Sequence, residues 1–477
     1  MCFGKASLGL GHDAEYRRPA GRRLKLPLLV SRPIAIHRPL GCDQERMKTR
    51  GRQMTDLYPA VHEQAVETWP SLAPPRSNPV RRAGAAAAIR FVARDLPATI
   101  TMDNRTYGRG GPGMVVHRTG PFLDRLGQDA GSGFGEAYLA GDWDPEPGTD
   151  LADLLMPFAE RFSSDQDRHL LPKWAQSLRW LVTRSLPGDQ ENDRAGAREN
   201  VSRHYDLSNA MFSEFLDPSL TYSAAYFDDV TADLATASYD ELSQAQLRKL
   251  DSILDAAGVR SGSRVLDIGC GWASLAIRAA QRGAWVTAIT IASQQALLAQ
   301  RRIADAGVSD RVQVALRDYR DQIGVFDAVL SVEMIEAVGE KYWPVYFDAI
   351  ERRLAPGGVA VVQAIVMPHE RMLATRNTFT WVQKYIFPGG LIPSVKVIEQ
   401  VTAEHTGLQA HVIRHLGADY ARTLRVWRDR FIDRWPEIAD LGFDATFRRM
   451  WEFYLAYSEA GFRAGYLDDV QLLLTKR

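Results

Sequence analysis

The sequence predicts an α/β protein whose main domain is a doubly wound parallel sheet, preceded by a small α+β N-terminal domain. From about residue 196 onward, short segments rich in Val, Ile and Leu alternate with amphipathic segments of helical period. The first of these apolar segments ends in a glycine-containing turn, as is typical where a buried strand leads into a helix. The chain of 477 residues is long enough for two or three domains with cores of their own.

Five strands are predicted in the main domain, residues 196–477, with helices between them. The predicted strands are Arg264–Ile268, Trp285–Ile291, Val312–Leu316, Phe326–Val332 and Val359–Ile365. The predicted helices end at about Arg282, span about Gln294–Ala306 and span Tyr342–Leu354.

Residues 80–195 are predicted to form the α+β domain and its linker, and residues 1–79 a disordered tail and linker. The elements expected here are helices at Arg81–Asp95, Leu151–Phe162 and Leu171–Leu186 and strands at Ala98–Asp103 and Val115–His117. Residues 1–53 carry 12 Lys and Arg against 4 Asp and Glu. Two alternatives stay open for them: a translation start at Met47 or Met54, or a basic arm that docks on a membrane.

The composition excludes several classes of protein. The chain is 45% hydrophobic, but no apolar run reaches the length that crosses a bilayer, and the N-terminus lacks the order of a secretory signal. Cys2, Cys42 and Cys270 form neither a metal-binding spacing nor a disulfide framework. Outside residues 1–53 the chain has no excess of basic residues, so no nucleic-acid partner is expected. We expect a cytoplasmic protein without a metal.

The most informative motif is Val265-Leu-Asp-Ile-Gly-Cys-Gly-Trp-Ala-Ser274. It is not the G-x-G-x-x-G of dinucleotide-binding folds, because Ser274 stands where the third glycine would be, and it lacks the Gly-Lys-Ser/Thr of a P-loop. Placed after a buried strand that ends near Asp267, Gly269 and Gly271 resemble motif I of class I S-adenosylmethionine-dependent methyltransferases. The alternative is a tight turn without a ligand.

Polar residues follow the next two strands. Thr290 and Gln295 come after the second strand, where many nucleotide-binding folds hold ribose hydroxyls. Asp318 and Tyr319 come after the third, where an adenine pocket usually lies. Taken alone, Thr290 and Gln295 are typical of surface positions; beside motif I they are candidate cofactor contacts.

Longer motifs resemble the cyclopropane-fatty-acyl-phospholipid synthases and mycolic acid methyltransferases over residues 80–477. They are His204–Asn209, Leu216–Ser223, Tyr385–Gly390 and, in the longer synthases, Gly133–Asp144. A narrower resemblance is to the actinobacterial enzymes that form tuberculostearic acid through a 10-methylene stearoyl chain. The segments that carry it are Val332–Gly339, Gln363–His369, Met372–Arg376 and Tyr454–Arg463.

The resemblance implies S-adenosylmethionine as cofactor, with Tyr222 and Ser223 over its methionine part. It also implies a bicarbonate ion that acts as base. The family residues that hold this ion correspond here to Glu336, Ile365 and Tyr420, while Ala224 and Gln363 replace a Cys and a His. These two changes put bicarbonate in doubt, and a weaker base would favour a 10-methylene product over a cyclopropane ring.

The candidate catalytic residues are therefore Glu336, Tyr420, Gln363 and His369. Each has a structural alternative: Glu336 as an acid at a helix N-terminus, Tyr420 as a core residue and His369 as a surface residue. The substrate implied is a membrane phospholipid with an unsaturated, oleoyl-type chain, met at the inner face of the membrane. A partner reductase and a homodimer are further expectations.

Three functions stay open at this point. The first is this lipid methyltransferase, with a cyclopropane synthase as its variant. The second is a methyltransferase for a small molecule or protein, which the extra domain before residue 196 disfavours. The third is a catalytically silent lipid- or cofactor-binding protein, which the replaced Cys and His allow.

Overall fold

The computed structural model describes residues 69–163, 208–229 and 238–476. All of them belong to a compact unit that runs from Gly51 to Arg477. Three sequence features lie outside the described residues: the basic arm 1–53, the predicted helix Leu171–Leu186 and the first four residues of the His204–Asn209 motif.

The N-terminal domain is a four-stranded sheet with helices packed against it. Its strands are β1 (Thr99–Met102), β2 (Arg105–Gly108), β3 (Gly113–Val116) and β4 (Trp143–Pro145), in the order β2-β1-β3-β4. Its helices are α1 (Pro79–Ala93), α2 (Thr119–Gln128), α3 (Gly133–Leu139) and α4 (Leu151–Ser163).

Local signals explain where these elements begin. Helix α1 starts at Pro79 because the Asn78 side chain accepts hydrogen bonds from the backbone N–H groups of Val80 and Arg81. Strand β2 was not predicted. It follows a two-residue turn, Asp103 and Asn104, in which both φ angles are positive, at 50° and 58°. This conformation suits a tight antiparallel hairpin.

The main domain is a seven-stranded sheet in the order β10-β11-β9-β8-β5-β6-β7. The strands are β5 (Arg264–Ile268), β6 (Trp285–Thr290), β7 (Val312–Leu316), β8 (Phe326–Val332), β9 (Leu354–Val366), β10 (Leu408–His415) and β11 (Asp468–Lys476). Neighbouring strands from β7 to β9 are parallel, and β11 is antiparallel to both β9 and β10.

Helices cover both faces of this sheet. They are α5 (Asn209–Phe215), α6 (Tyr239–Ala256), α7 (Ser274–Gln281), α8 (Ser293–Asp305), α9 (Trp343–Arg353), α10 (His369–Thr375), α11 (Trp381–Tyr385), α12 (Val395–His405), α13 (Gly417–Asp433), α14 (Trp435–Asp440) and α15 (Ala445–Arg463). Leu266 packs with residues of α9 and α12, whereas its neighbour Val265 packs with α6 and α7. The predicted doubly wound α/β fold is thereby confirmed, with two strands added, of which β11 runs antiparallel to its neighbours.

Strands β10 and β11 were not predicted from the sequence. Strand β11 carries Asp469 and Gln471, which are fully buried although they are polar. Such residues break the apolar pattern by which a central strand is recognised. The same two side chains reach the site described below.

Two long helices, α13 and α15, form buried ion pairs and hydrogen bonds with the segment that contains strands β1 to β4. Arg449 of α15 donates from Nε to the carbonyl oxygen of Tyr138 at 2.7 Å and pairs with Asp144 at 2.7 Å. Arg428 of α13 pairs with Asp150 at 2.9 Å. Both guanidinium groups are buried, so these ion pairs fix α13 and α15 against the N-terminal strands and helices. Within the described ranges, no helix combines the length and apolarity needed to cross a membrane.

Candidate active site

A cleft opens at the carboxyl ends of strands β5, β6 and β8, where ligands bind in open α/β sheets. Nine residues that the sequence assigned to cofactor binding all line this one cleft. They are Tyr222, Ser223, Asp267, Gly269, Gly271, Thr290, Gln295, Asp318 and Tyr319.

The loop after β5 leaves room for a ligand. Gly269 and Gly271 have φ angles of 77° and 52°, in the left-handed region that glycine adopts without strain. A Cβ atom built on Gly271 would meet no atom within 4 Å, so this edge of the cleft is open. Asp267 is buried, and its Oδ2 accepts no hydrogen bond from any described residue. Burial raises the pKa of Asp267 to about 7. An unpartnered carboxylate beside an open glycine loop fits a polar ligand such as S-adenosylmethionine.

The far side of the cleft contains the predicted ribose and adenine contacts. Thr290 donates from Oγ1 to Oε1 of Gln295 at 3.1 Å, which orients the amide of a buried glutamine. The Asp318 carboxylate pairs with Arg320 at 2.6 Å and also accepts from the backbone N–H of Arg320. Asp318 therefore shapes this wall of the cleft, with Tyr319 packed edge-on against Tyr346.

Tyr222 and Ser223 close the opposite end. The Tyr222 ring stacks on Trp427 with centroids 5.2 Å apart, and its hydroxyl lies 2.9 Å from the hydroxyl of Tyr454. Ser223 accepts a hydrogen bond at 2.6 Å from Nζ of Lys249, which is fully buried. Burial lowers the pKa of Lys249 to about 8, although the carboxylates of Glu333 and Asp469 act in the opposite direction.

Glu333, like Lys249, lies at this end and was not among the residues that the sequence assigned to the site. It lines the cleft, directly after strand β8. Its Oε1 accepts from the backbone N–H of Ala224 at 2.8 Å and from Nε2 of Gln363 at 2.9 Å. Its Oε2 accepts from the Tyr420 hydroxyl at 2.6 Å. Burial raises the pKa of Glu333, while these donors and Lys249 oppose that shift.

These contacts determine whether a bicarbonate ion can bind at this end of the cleft. Ala224, Gln363 and Tyr420 occupy three of the five positions at which the family resemblance places contacts to that ion. All three donate to a carboxylate that belongs to the chain itself. A bound bicarbonate does not fit where these donors converge, because Glu333 already takes its place.

Glu336 lies next to this group but is held differently. Its Oε1 accepts from the backbone N–H of Ile365, and its Oε2 has no hydrogen-bond partner within the described chain. Burial, and then the nearby carboxylate of Glu333, raise the pKa of Glu336 to about 8. At neutral pH Glu336 is therefore mostly protonated, which suits a neutral hydrogen-bond donor better than a base.

Gln363 connects the cleft to strand β11. Its Nε2 donates to Asp469 at 2.8 Å as well as to Glu333, and its Oε1 accepts from Gln471 at 3.2 Å. Both hydrogens of the amide are therefore used, and Gln363 holds two carboxylates in position. Burial, and then the nearby carboxylates of Glu333 and Glu336, raise the pKa of Asp469 well above its usual range, so the neutral form of Asp469 is favoured.

His369 lies apart from the other candidate catalytic residues. It begins helix α10, and its Nδ1 is 2.8 Å from Oγ of Ser394. It does not line the cleft, and its hydrogen-bond partner Ser394 lies outside the group around Glu333. We therefore do not carry His369 into the proposal below. In the part of the chain that the structure describes, no three His, Cys, Asp or Glu side chains are grouped to hold a metal ion.

Comparisons with known proteins identify the family of this chain. The family model described as mycolic acid cyclopropane synthetase matches residues 192–472. A tuberculostearic acid methyltransferase of Mycobacterium tuberculosis is 45% identical over 417 residues, which are 86% of this chain and 96% of the relative. The cyclopropane-fatty-acyl-phospholipid synthase of Escherichia coli K12 is 35% identical over 76% of this chain and 86% of its own length.

Solved structures show the same catalytic fold. A mycolic acid cyclopropane synthase crystallised with SAH and CTAB superposes with a TM-score of 0.52 at 27% identity, covering 58% of this chain and 98% of its own. A cyclopropane synthase from Mycobacterium tuberculosis gives a TM-score of 0.52 at 28% identity over the same shares. The enzyme is thus an S-adenosylmethionine-dependent methyltransferase, and the chain belongs to the mycolic acid cyclopropane synthetase family.

Proposed function

We propose that the enzyme transfers a methyl group from S-adenosylmethionine to the double bond of an unsaturated, oleoyl-type phospholipid chain and forms a 10-methylene chain. The observation that carries this proposal is the position of a buried carboxylate cluster beside the cofactor cleft, with an aromatic cluster behind Tyr222. An alkene needs no base before it is methylated, but the cation formed by methylation must then lose a proton without meeting water.

S-adenosylmethionine, when bound, supplies a methyl group that is already electrophilic. The chain's contribution is to hold and orient it. We propose that Asp267 and the loop of Gly269 and Gly271 hold its polar part, with Thr290 and Gln295 on the ribose. Tyr222 and Ser223 would cover its methionine end, since both line that end of the cleft.

The aromatic cluster suits a substrate that becomes positively charged. Tyr222 lines the cleft and contacts Trp427 and Phe212, and Tyr420 stacks on Phe462 with centroids 4.5 Å apart. Aromatic faces stabilise a cation by electrostatic attraction without adding a nucleophile that could trap it. Water at this position would give an alcohol, so exclusion of water is part of the proposed function.

The product follows from the order of two steps. Proton loss directly from the new methyl group closes a cyclopropane ring, whereas a hydride shift before proton loss gives a methylene group. A relative named tuberculostearic acid methyltransferase supports a hydride shift that precedes proton loss. A cyclopropane synthase is the alternative, and the relative from Escherichia coli favours it.

A phospholipid substrate places the enzyme at a membrane surface. We propose a peripheral position on the cytoplasmic face. Conversion of a 10-methylene chain to a 10-methyl chain needs two further electrons and two protons, for which we propose a separate reductase. The homodimer stays a prediction from the sequence.

The test uses purified full-length enzyme, S-adenosylmethionine labelled in its methyl group, and two kinds of vesicle. One contains dioleoyl phospholipid, and the other contains the saturated distearoyl phospholipid with the same headgroup. We expect label in the lipid fraction only from the unsaturated vesicles. Equal labelling of both, or labelling of neither while the cofactor binds, would remove the acyl double bond as the substrate.

A further inference from the structure

The backbone at Glu333 is unusual for a residue with a side chain. Its φ angle is 47°, in the left-handed region where glycine is favoured and a glutamate is strained. Five non-glycine residues in the described ranges have a positive φ angle. Asp103 and Asn104 belong to a hairpin turn, Ala273 precedes helix α7, and Leu220 lines the cleft near Tyr222. Glu333 directly follows the central strand β8 and lines the cofactor cleft. Strain at such a place points to a side chain that is needed for function.

The Glu333 carboxylate is held by three donors from three distant parts of the chain. Ala224 precedes it by more than one hundred residues, Gln363 is on strand β9, and Tyr420 is on helix α13. These contacts fix the orientation of both oxygens. A carboxylate has about four lone-pair positions, so three hydrogen bonds leave it the capacity to accept a proton.

Burial raises the pKa of Glu333, and its hydrogen-bond donors and Lys249 act against that effect in favour of the ionised form. Lys249 is the fully buried cation of this cluster, and it lies close enough to Glu333 and Asp469 to interact with both. Glu336 and Asp469 have the other two buried carboxyl groups, and burial favours the neutral form of each. Of the three carboxyl groups, Glu333 has the most hydrogen-bond donors, so it is the best placed to keep the negative charge.

We propose that Glu333 is the base that removes the proton from the methylated acyl chain, in place of the bicarbonate ion that the family resemblance implies. This inference rests on the proposed function. In the step, a C–H bond next to the cationic carbon breaks and its electron pair forms the new C=C bond. The proton passes to a carboxylate oxygen of Glu333, and the charge on the acyl chain is cancelled. No further reactant is needed.

Two substitutions separate this role from a structural one. Glu333→Gln keeps the shape and can still accept from Ala224 and Gln363, but a carboxamide oxygen is far too weak a base. Glu333→Gly removes the side chain and suits the positive φ angle, so the backbone should tolerate it. It also frees the three donors for a small anion. Glu340→Gln, at a half-exposed glutamate seven residues along the chain that pairs with Arg376, is the control outside the cleft.

The experiment measures methylation of dioleoyl vesicles in buffer freed of carbon dioxide, with and without added bicarbonate. Cofactor affinity is measured by calorimetry, and carbon-13 NMR follows labelled bicarbonate with each protein. We expect the unaltered enzyme and Glu340→Gln to be equally active with and without bicarbonate. We expect Glu333→Gln to lose at least about a hundredfold in rate with unchanged cofactor affinity. Glu333→Gly should be inactive alone, bind labelled bicarbonate and regain activity with it.

Two results would overturn the inference while leaving the proposed function in place: an unaltered enzyme that needs bicarbonate, or a Glu333→Gln variant with near-normal rate. If the unaltered enzyme binds S-adenosylmethionine but labels no acyl chain, the proposed function itself fails, and the role of Glu333 as its base fails with it.

Discussion

The hydroxyl of Tyr420 donates a 2.6 Å hydrogen bond to Oε2 of Glu333, which joins helix α13 to the end of strand β8. A donor to the ionised carboxylate lowers its pKa, and the same contact fixes the direction in which the carboxylate points. Tyr420 is therefore a positioning residue for Glu333, and its removal should affect the rate and its pH dependence together.

We expect Tyr420→Phe to lower the rate of methylation about tenfold, the value of one hydrogen bond to a charged group. Loss of the donor raises the pKa of Glu333, so the acid limb of the kcat/KM profile should move to higher pH. The other charged groups around Glu333, which are Lys249, Glu336 and Asp469, are unchanged in this variant. Tyr457→Phe, at a half-exposed tyrosine on helix α15, is the control. A lower rate with an unshifted profile would mean that Tyr420 acts only through packing.

The glycine loop should be required for cofactor binding. Gly271→Val places a branched side chain on the open edge of the cleft, so calorimetry should show loss of S-adenosylmethionine binding. Gly307→Val is a matched control, because Gly307 also has a positive φ angle with open space around it but lies outside the cleft. Both variants should lose stability from backbone strain, about 1–2 kcal/mol each. Equal loss of binding in both would show that strain, not the ligand site, explains the effect.

Glu336 should affect stability in a defined pH range. Its folded-state pKa is raised from 4.5 to about 8, so the neutral carboxyl adds stability that is complete below pH 4.5 and is lost as the pH rises through 8. Glu336→Gln cannot ionise. Between pH 5 and pH 8.5 the thermal midpoint of this variant should therefore fall less than that of the unaltered enzyme. The difference corresponds to an unfolding free energy on the order of a few kcal/mol. If the thermal midpoints of the two proteins change in parallel with pH, the pKa of Glu336 lies much closer to its ordinary value.

Substitution of Glu333 and substitution of Glu336 should affect the rate of methylation to different extents. Because Glu336 is mostly neutral at pH 7, a carboxamide imitates it well, and Glu336→Gln should keep roughly a tenth or more of the rate. The rate of the Glu333→Gln variant should be lower than that of Glu336→Gln by a further factor of at least about ten. The sequence had named Glu336, and not Glu333, as a candidate catalytic residue. Rates that rank in the opposite order would return the role of base to that residue.

The choice between ring and methylene products should depend on three positions together. Ala224→Cys with Gln363→His restores the family's residues but leaves the carboxylate of Glu333 in place, with the backbone N–H of residue 224 and the Tyr420 hydroxyl still donating to it. We expect this double variant to make little cyclopropane. Adding Glu333→Gly, in the presence of bicarbonate, should raise the cyclopropane fraction, measured by NMR of the released fatty acids. A double variant that makes as much ring as the triple variant would show that Glu333 does not control the outcome.

The sequence predicted the part of the site that is encoded locally. Asp267, Gly269 and Gly271 sit in one short strand–turn–helix motif, and the following strands end in the polar residues that line the cleft. A single segment is enough to recognise such a pattern, because parallel strands bring their carboxyl ends to one edge of the sheet.

The sequence could not show the contacts between distant segments. Glu333 looks like one of two acids in a short loop, and neither its positive φ angle nor its contacts with Ala224 and Tyr420 can be read from its neighbours. Asp469 and Gln471 look like surface residues until strand β11 is placed between β9 and β10. Tertiary contacts outweighed local pattern at these positions, which are also those of the proposed base and its supports.

The most direct test of the proposed function is carbon-13 NMR of the lipid formed from S-adenosylmethionine labelled in its methyl carbon and dioleoyl phospholipid vesicles. Mass alone cannot decide, since the methylene and cyclopropane products are isomers. The proposed function predicts that the label appears as the terminal carbon of a C=CH2 group. A signal from a cyclopropane CH2 would contradict the methylene product, and absence of label from the acyl chain would contradict the proposed function as a whole.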